Sequence, residues 1–258
     1  MILILAEPED AFAAAVERCL RAAGHATIRL REAELAEQTP FALTRVGTRV
    51  GGFLRCRGEE LRLDELSGVL VRLPRRWWPG QGFDAQDQMF VYHETTAALI
   101  ALLAGLSCPV VNRCSLGWWL RDESCPALLR EGLPRSTSWS AELGPFAASA
   151  GGSLEPGPLA ASPDEQSGSA GSGRVSVFMV GEKLIAASPA AAAGAAWLAG
   201  ENRSLAGWQR STGISFCRLD LPAAGEPAIS GLDIAPSLQA EPPELVERVG
   251  AAAAELWS

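Results

Sequence analysis

The segment of the sequence best suited to chemistry is rich in arginine and tryptophan and runs from residue 72 to residue 83, RLPRRWWPGQGF. It follows an apolar run that predicts a core strand, and open α/β sheets bind ligands at the carboxyl ends of their strands. Guanidinium forks and indole faces in such a place can bind an anion or a peptide carboxylate. An equally weighted alternative is a loop packed on its own helix, with a tryptophan buried and the arginines solvated. The candidate residues for binding a ligand or partner are Glu94 and, in this segment, Arg72, Arg75, Arg76, Trp77 and Trp78.

Two further groups of polar residues could take part in chemistry. His93 and Glu94 are of the types used in acid–base catalysis, but no nucleophile accompanies them. The sequence instead predicts that Glu94 lies at the start of a helix, caps it and pairs with arginines, above all with Arg72. Asp220 and Asp233 lie in two predicted strands near the C-terminus, where their carboxylates could bind a cation.

The composition excludes several classes of protein. The six cysteines include no C-x-x-C pair, so neither a zinc site nor a disulfide scaffold is predicted. A net charge of −8 gives no long-range attraction for nucleic acid or an anionic membrane. No segment approaches the roughly 20 apolar residues of a membrane span, and MILILAEPED predicts a buried strand rather than a signal peptide. We therefore expect a cytoplasmic protein with reduced thiols and with neither a nucleic-acid nor a membrane partner.

The elements of the N-terminal half alternate between strands and helices. MILILA, an amphipathic helix that ends at Gly24 and a second strand form the strand–helix–strand unit of a parallel sheet. A hairpin-like stretch, a core strand, a helix over residues 87–106 and the short strand CPVVN follow. Residues 1–112 are therefore predicted to form an α/β domain of the doubly wound type.

The C-terminal half, residues 113–258, begins with a predicted helix and continues into a segment rich in Gly, Ser, Pro and Ala. This composition, at residues 151–173, predicts a flexible segment. The sequence RVSVFMVGEKLIAAS then predicts a β-hairpin, with Lys183, the only lysine of the chain, on its turn. An alanine-rich helix, two strands and a final helix complete the predicted order.

This order and four motifs resemble the ATP-grasp ligases, in particular the branch that makes graspetides such as the microviridins. VRLPRRWW is similar to the family's "yRRp" loop, Glu94 to the glutamate at the start of the next helix, PVVN to "wiNpP", and residues 132–137, GLPRST, to "GLxxPxT". The resemblance implies a Rossmann-like pre-ATP-grasp domain at residues 1–112. A reduced ATP-grasp-like α+β domain at residues 113–258 would follow it.

The C-terminal half resembles the family in outline. The predicted hairpin is similar to "vRvfvVGdkvfAa", whose leading arginine, here Arg174, would face the phosphates of a nucleotide. Asp220 stands at the position of a metal-binding aspartate. Asp233 replaces the glutamate of the "flEvNp" strand, and Ala235 replaces its asparagine.

The same resemblance implies that parts of the nucleotide site are missing. The family's two phosphate-binding lysines correspond to Arg121 and Gly157 in this sequence. Only residues 160–174 join the second lysine position to the hairpin, which is too short for the rest of the nucleotide lid. Arginine differs from lysine in shape and reach, so the exchange is not conservative at a phosphate. The chain therefore resembles a degenerate, truncated ATP-grasp protein, with Arg121 and Arg174 as remnants of a nucleotide site and Asp220 and Asp233 as remnants of a metal site.

The function predicted from these losses is non-catalytic: a binding or scaffold protein without a cofactor. Its partner would be a peptide or a protein, such as a modifying enzyme, in a bacterial system for biosynthesis of modified peptides (RiPPs); a homodimer is also open. The alternative is an active ATP-dependent carboxylate–amine ligase, with Arg121 and Arg174 on the phosphates and Mg²⁺ on Asp220 and Asp233. A third hypothesis is a small-molecule enzyme that uses the arginine–tryptophan segment without a nucleotide.

Overall fold

The structure is a computed structural model that describes residues 1–31, 34, 41–46, 49–72, 84–112, 133–134, 173–234 and 236–257. The chain divides into two compact units. The first contains residues 1–125, 210–215 and 237–258, and the second contains residues 126–209 and 216–236. The predicted division into residues 1–112 and 113–258 stays a prediction, and in the structure the C-terminal segment groups with the N-terminal strands.

The first unit is built around a four-stranded parallel sheet. Its strands and first helix are β1 (Ile2–Leu5), α1 (Ala11–Ala22), β2 (Thr27–Leu30), β6 (Gly68–Val71) and β7 (Val110–Val111). The strand order is β2-β1-β6-β7, with β1 paired in parallel to both β2 and β6. All four residues of β1 are buried, as expected for a parallel strand covered on both faces.

Local signals in the sequence set the ends of α1. Asp10 caps the helix by accepting a 2.9 Å hydrogen bond from the N–H of Ala13. The chain leaves the helix through Gly24, whose φ of +85° is in the left-handed region that glycine adopts without strain. The predicted strand–helix–strand unit, with its helix ending at Gly24, is confirmed.

An antiparallel three-stranded sheet and a long helix complete the N-terminal elements. The strands are β3 (Phe41–Val46), β4 (Arg49–Cys56) and β5 (Glu59–Arg62), and the helix is α2 (Ala85–Gly105). The turn between β4 and β5 is Arg57-Gly58, and both residues have positive φ, as a two-residue hairpin turn of type I′ requires. The predicted hairpin-like stretch is therefore confirmed.

The helix predicted over residues 87–106 is confirmed as α2, but the predicted place of Glu94 at its start is wrong. Glu94 lies nine residues inside the helix and is exposed, so it does not cap the helix. The carboxylate at the N-terminus is that of Asp84, whose Oδ1 accepts a 2.9 Å hydrogen bond from the N–H of Asp87. The capping signal was present in the sequence at Asp84, three residues before Asp87.

The second unit contains an antiparallel sheet with two helices. Its elements are β8 (Arg174–Val180), β9 (Lys183–Ala186), α3 (Ala192–Gly200), α4 (Asn202–Thr212), β10 (Phe216–Pro222) and β11 (Gly231–Asp233). The strand order is β11-β10-β8-β9. The predicted hairpin is confirmed as β8 and β9, which pair from Val177–Ala186 to Val180–Lys183.

A last helix returns the chain to the first unit. This helix, α5 (Pro243–Ala254), packs on α1, with Gly250 close to Ala15, and it buries Leu245 and Val249. Beyond it, Trp257 lies against Gly68 at the start of β6, where a Cβ atom would come within 2.0 Å of the indole ring. The indole N–H of Trp257 donates a 3.3 Å hydrogen bond to the carbonyl of Pro109. The N-terminal sheet is therefore covered by residues from the far end of the chain.

Candidate functional site

One face of the β8–β10–β11 sheet carries a group of polar side chains, Ser176, Arg218, Asp220 and Asp233, which we call the ion-pair cluster. Strand pairing brings them together, because Asp220 lies opposite Ser176, and Arg218 lies opposite Asp233. Side chains two residues apart on a strand share a face, so all four project to the same side of the sheet. The intervening residues Val177, Leu219 and Leu232 belong to the other face and are buried.

Two neighbours fix the position of the Asp220 carboxylate. The hydroxyl of Ser176 donates a 2.7 Å hydrogen bond to Oδ1 of Asp220. Across the sheet stands Gly231, where a Cβ atom would lie 3.0 Å from Oδ2 of Asp220. The missing side chain at Gly231 therefore leaves room for the carboxylate above β11.

The guanidinium of Arg218 lies between the two carboxylates. Its Nε is 3.5 Å from Oδ1 of Asp220, and its Nη2 is 3.6 Å from Oδ2 of Asp233. The three side chains are 21%, 18% and 17% exposed, so the charges are largely removed from water. The Nε atom is itself buried and has no hydrogen-bond partner. The contacts are therefore those of an ion pair rather than a bidentate hydrogen bond.

The structure thus brings together Asp220 and Asp233, the two carboxylates that the sequence singled out, and adds Arg218 to them. The sequence analysis missed Arg218. The signal was the alternation in CRLDL, which places residues 218 and 220 on the same face of a strand.

The residues of the cluster do not fit a Mg²⁺ ion as they are arranged. Mg²⁺ takes six oxygen ligands at about 2.0–2.1 Å, usually one or two carboxylates together with several waters. Here a guanidinium already lies between the two carboxylates. Among the described residues, no group of three or more His, Cys, Asp or Glu side chains is arranged to hold a metal ion. Residue 235, where the family has an amide ligand, lies outside the described residues.

Arg174 and Lys183 lie at opposite ends of the β8–β9 hairpin. Arg174 is the exposed first residue of β8 and shares the face of Ser176, two residues away. Lys183 is exposed and lies opposite Val180, four residues beyond Ser176, which is about 13 Å along the strand. The only lysine of the chain is therefore at the opposite end of β8 from Ser176 and Asp220, about 7 Å along the strand from the level of Arg218 and Asp233.

The thiol that lies closest in sequence to the cluster is not a nucleophile. Cys217 is on the buried face of β10. Burial raises the pKa of the Cys217 thiol well above its ordinary value, and the carboxylate of Asp233 raises it further. Burial also raises the pKa of the thiols of Cys19 and Cys56. All three thiols are protonated at neutral pH, and a protonated thiol is a poor nucleophile.

In the first unit, Arg72 directly follows β6, and its side chain is buried. Its side chain is 5% exposed, its Nε is 2.9 Å from Oδ2 of Asp10, and its guanidinium lies 5.3 Å from the ring centroid of Phe12. The sequence predicts an ion pair with Glu94, whereas the ion pair in the structure is with Asp10. The reason is topological: Asp10 follows β1, the strand that pairs with β6. Arg72 thus joins the cap of α1 to the sheet.

The asparagine of the PVVN motif, Asn112, lies in a turn and forms hydrogen bonds with Ser215. Asn112 follows β7 with a φ of 56° and is buried. Its Oδ1 accepts a 3.0 Å hydrogen bond from the N–H of Ser215, and its own N–H donates to Oγ of Ser215 at 3.3 Å. Asn112 is a residue type that tolerates the left-handed conformation, which explains an asparagine at this turn.

The other candidates lie outside the described residues. These are Arg75, Arg76, Trp77, Trp78, Arg121, Gly157 and residues 151–172 of the segment that the composition predicts to be flexible. Their roles stay predictions.

The fold defined by these two units is the ATP-grasp fold, and the predicted fold class is confirmed. A RiPP-associated ATP-grasp ligase from Chryseobacterium gregarium, in complex with ADP and a leader and core peptide, is similar over 99% of this chain and 95% of its own, with a TM-score of 0.62 and 12% identity. Macrocyclase MdnC from Microcystis aeruginosa MRC, bound with precursor peptide MdnA, gives a TM-score of 0.64 at 15% identity over 99% of this chain and 98% of its own.

A third similar structure is the ATP-grasp ligase PsnB, complexed with a minimal precursor, Mg and ADP. It gives a TM-score of 0.59 at 16% identity over 100% of this chain and 97% of its own. The resemblance to the peptide-ligase branch is thus confirmed at the level of the fold. No family model and no curated protein matches the sequence. No helix in the described ranges is long and apolar enough to cross a membrane.

Proposed function

We propose that this protein is a non-catalytic ATP-grasp-like protein that binds a peptide or a protein partner in a bacterial peptide-modification system. Three solved structures with the same fold contain a leader, precursor or minimal-precursor peptide. Those peptides belong to the neighbours, and they support a peptide as the class of partner here. A homodimer remains part of the proposal.

The observation that carries the non-catalytic assignment is the position of Lys183. ATP-grasp chemistry forms an acyl phosphate and needs cations placed on the nucleotide phosphates. The only lysine of the chain is the exposed first residue of β9, about 13 Å along the strand from the level of Ser176 and Asp220. In this arrangement of the hairpin, Lys183 does not lie beside the carboxylate of Asp220, where a phosphate cation would be needed.

The alternative is an active ligase with an arginine-based phosphate site, and one observation favours it. Arg174 is exposed on the same face as Ser176 and Asp220, so a phosphate group near the cluster would be within reach of its guanidinium. PsnB, a neighbour of this fold, was obtained with Mg and ADP. The two hypotheses differ in whether the protein binds a nucleotide.

Thermal unfolding with ATP or AMPPNP and Mg²⁺ separates the two hypotheses, with PsnB as the positive control. A site with a Kd of about 10 μM would raise the free energy of unfolding by about 2.7 kcal/mol at about 1 mM ligand. We expect no such rise. A nucleotide-dependent rise of that size that is lost in an Arg174→Ala variant would establish the ligase alternative and end the non-catalytic proposal.

We further propose that Arg75, Arg76, Trp77 and Trp78 contact the peptide. Arginine and tryptophan are enriched among the residues that dominate binding energy, and an anchor of this kind contributes about 2 kcal/mol or more. In a fluorescence-anisotropy titration with a labelled candidate precursor peptide, the R75A/R76A variant should bind at least about 30-fold more weakly.

The matched control for this titration is the R55A/R62A variant, which removes the same charge from exposed ion pairs on β4 and β5. It should bind the peptide as the parent does. Equal binding by the parent and the R75A/R76A variant would place the peptide site elsewhere, and equal weakening by both double variants would mean that net charge alone drives the association.

A further inference from the structure

Asp220 and Asp233 of the ion-pair cluster stand at the positions that the resemblance to the ATP-grasp ligases assigns to metal-binding carboxylates, and a cation of the protein itself, Arg218, lies between them. We infer that Arg218 is a built-in cation that takes the place of a divalent metal ion between Asp220 and Asp233. The inference deepens the proposed function but does not depend on whether a peptide is bound.

The first argument is the balance of charge. Asp220 and Asp233 are diagonal neighbours on paired strands, and both are more than four-fifths shielded from solvent. Two carboxylates so placed repel one another unless a cation lies between them. The guanidinium of Arg218 is within 3.6 Å of both and carries a permanent positive charge. It therefore supplies the charge that a metal ion would otherwise supply.

The second argument is the way in which Arg218 is held. Its Nε is buried and lacks a hydrogen-bond partner, which costs free energy that a better hydrogen-bonded rotamer would avoid. The position of the guanidinium is therefore explained by attraction to two carboxylates at once. A bidentate hydrogen bond to a single one does not explain it.

The third argument is the set of contacts that position the carboxylates and the guanidinium. The hydroxyl of Ser176 donates a hydrogen bond to Oδ1 of Asp220, which occupies one lone pair of that oxygen. Gly231 has no side chain, so the Asp220 carboxylate has room to extend toward β11. Arg218 lies directly opposite Asp233 in the strand register. A Mg²⁺ ion bound to both carboxylates would have to displace a guanidinium that the register fixes in place.

The test is to remove the built-in cation and ask whether a metal ion can replace it. An Arg218→Met variant loses the guanidinium between the two carboxylates, and we expect a lower Tm than that of the parent. Added MgCl2 should raise the Tm of this variant by about 3 °C at about 10 mM, against KCl of equal ionic strength. The parent should not respond, and the R218M/D220N variant should lose the response.

An Arg62→Met variant is the matched control, because Arg62 forms ion pairs with two carboxylates, Asp64 and Glu65, on the exposed side of β5. It should show no response to MgCl2. Mn²⁺ binding followed by electron paramagnetic resonance gives a second measurement that does not depend on the stability of the variants. It should detect saturable binding in R218M and none in the parent.

Saturable Mn²⁺ binding by the parent that disappears in Asp220→Asn would overturn the inference, even if R218M failed to fold. A folded R218M variant that gains no metal binding would also overturn it. Nucleotide binding is measured separately, so the two claims can fail independently. A parent that binds Mn²⁺ but no nucleotide refutes only the role of Arg218, whereas a parent that binds ATP refutes the non-catalytic assignment.

Discussion

The role of Arg72, in stability or in recognition, can be inferred from the residues that its side chain contacts. Its guanidinium is buried against Phe12 and paired with Asp10, which also caps α1. A buried ion pair broken on one side leaves the other charge without compensation, at a cost of about 3–5 kcal/mol. An Arg72→Met variant should therefore lose about 3 kcal/mol of unfolding free energy in urea denaturation.

The control for Arg72 is the double variant R72M/D10N, which removes both charges and should recover part of that loss. Should R72M instead unfold like the parent while losing peptide binding, Arg72 would belong to the recognition surface, as the arginine–tryptophan segment first suggested. The same protein preparations can be used for the peptide titration, so stability and binding are read from one sample.

At the scale of elements, the contact between α1 and α5 depends on a glycine. A Cβ atom at Gly250 would lie 2.7 Å from the Cβ of Ala15 and 3.1 Å from its carbonyl carbon. Because one of these atoms is backbone, the two helices would have to separate. Overpacking of this kind costs about 1–3 kcal/mol, and alanine returns only about 0.5–1 kcal/mol through helix propensity. A Gly250→Ala variant should therefore be less stable than the parent.

Gly207, in the middle of α4, is the matched control because a Cβ atom there would meet nothing within 4 Å. Gly207→Ala gains the same helix propensity without a clash, and its stability should rise by about 0.5–1 kcal/mol. Urea denaturation of both variants measures the difference. If both variants became more stable, the helix contact at Gly250 would be looser than the structure indicates.

The elements that local pattern determines were predictable from the sequence. The β8–β9 hairpin follows from alternation around Gly181, and α1 follows from its apolar spacing between Asp10 and Gly24. The helix predicted over residues 87–106 agrees with α2 to within two residues, whereas the capping role was assigned to the motif glutamate, Glu94, instead of Asp84. Local capping chemistry was the better guide there.

The site was predictable only in part, since its chemistry depends on strand register. Asp220 and Asp233 were identified by their place in the family's motifs, but the pairing of Arg218 with both of them follows from which residues of β10 and β11 stand opposite each other. Likewise, the partner of Arg72 was set by the order of β1 and β6 in the sheet. The sequence pattern indicates on which face of a strand a residue lies. Its partner on another strand can be identified only from the order and register of the strands.

At the scale of the whole molecule, the chain enters the first unit at its N-terminus, leaves it, and returns twice. Residues 1–125, 210–215 and 237–258 share that unit, and the second unit is formed by the stretches between them. The return at residues 210–215 consists of the last residues of α4 and the loop that follows, where the N–H of Ser215 donates a hydrogen bond to Asn112. The first unit is therefore discontinuous in sequence although its parallel sheet is continuous in space.

The packing of α5 on α1 also has a consequence for how the protein forms during synthesis. Arg18 of α1 and Glu247 of α5 form an ion pair across 229 positions of sequence. Forming a contact between residues so far apart in sequence costs the conformational entropy of closing a long loop, and contacts of this kind slow folding. Because α5 is synthesised long after α1, the face of α1 that packs on α5 stays uncovered on the ribosome until α5 emerges. An apolar surface exposed during synthesis in this way favours aggregation of the nascent chain.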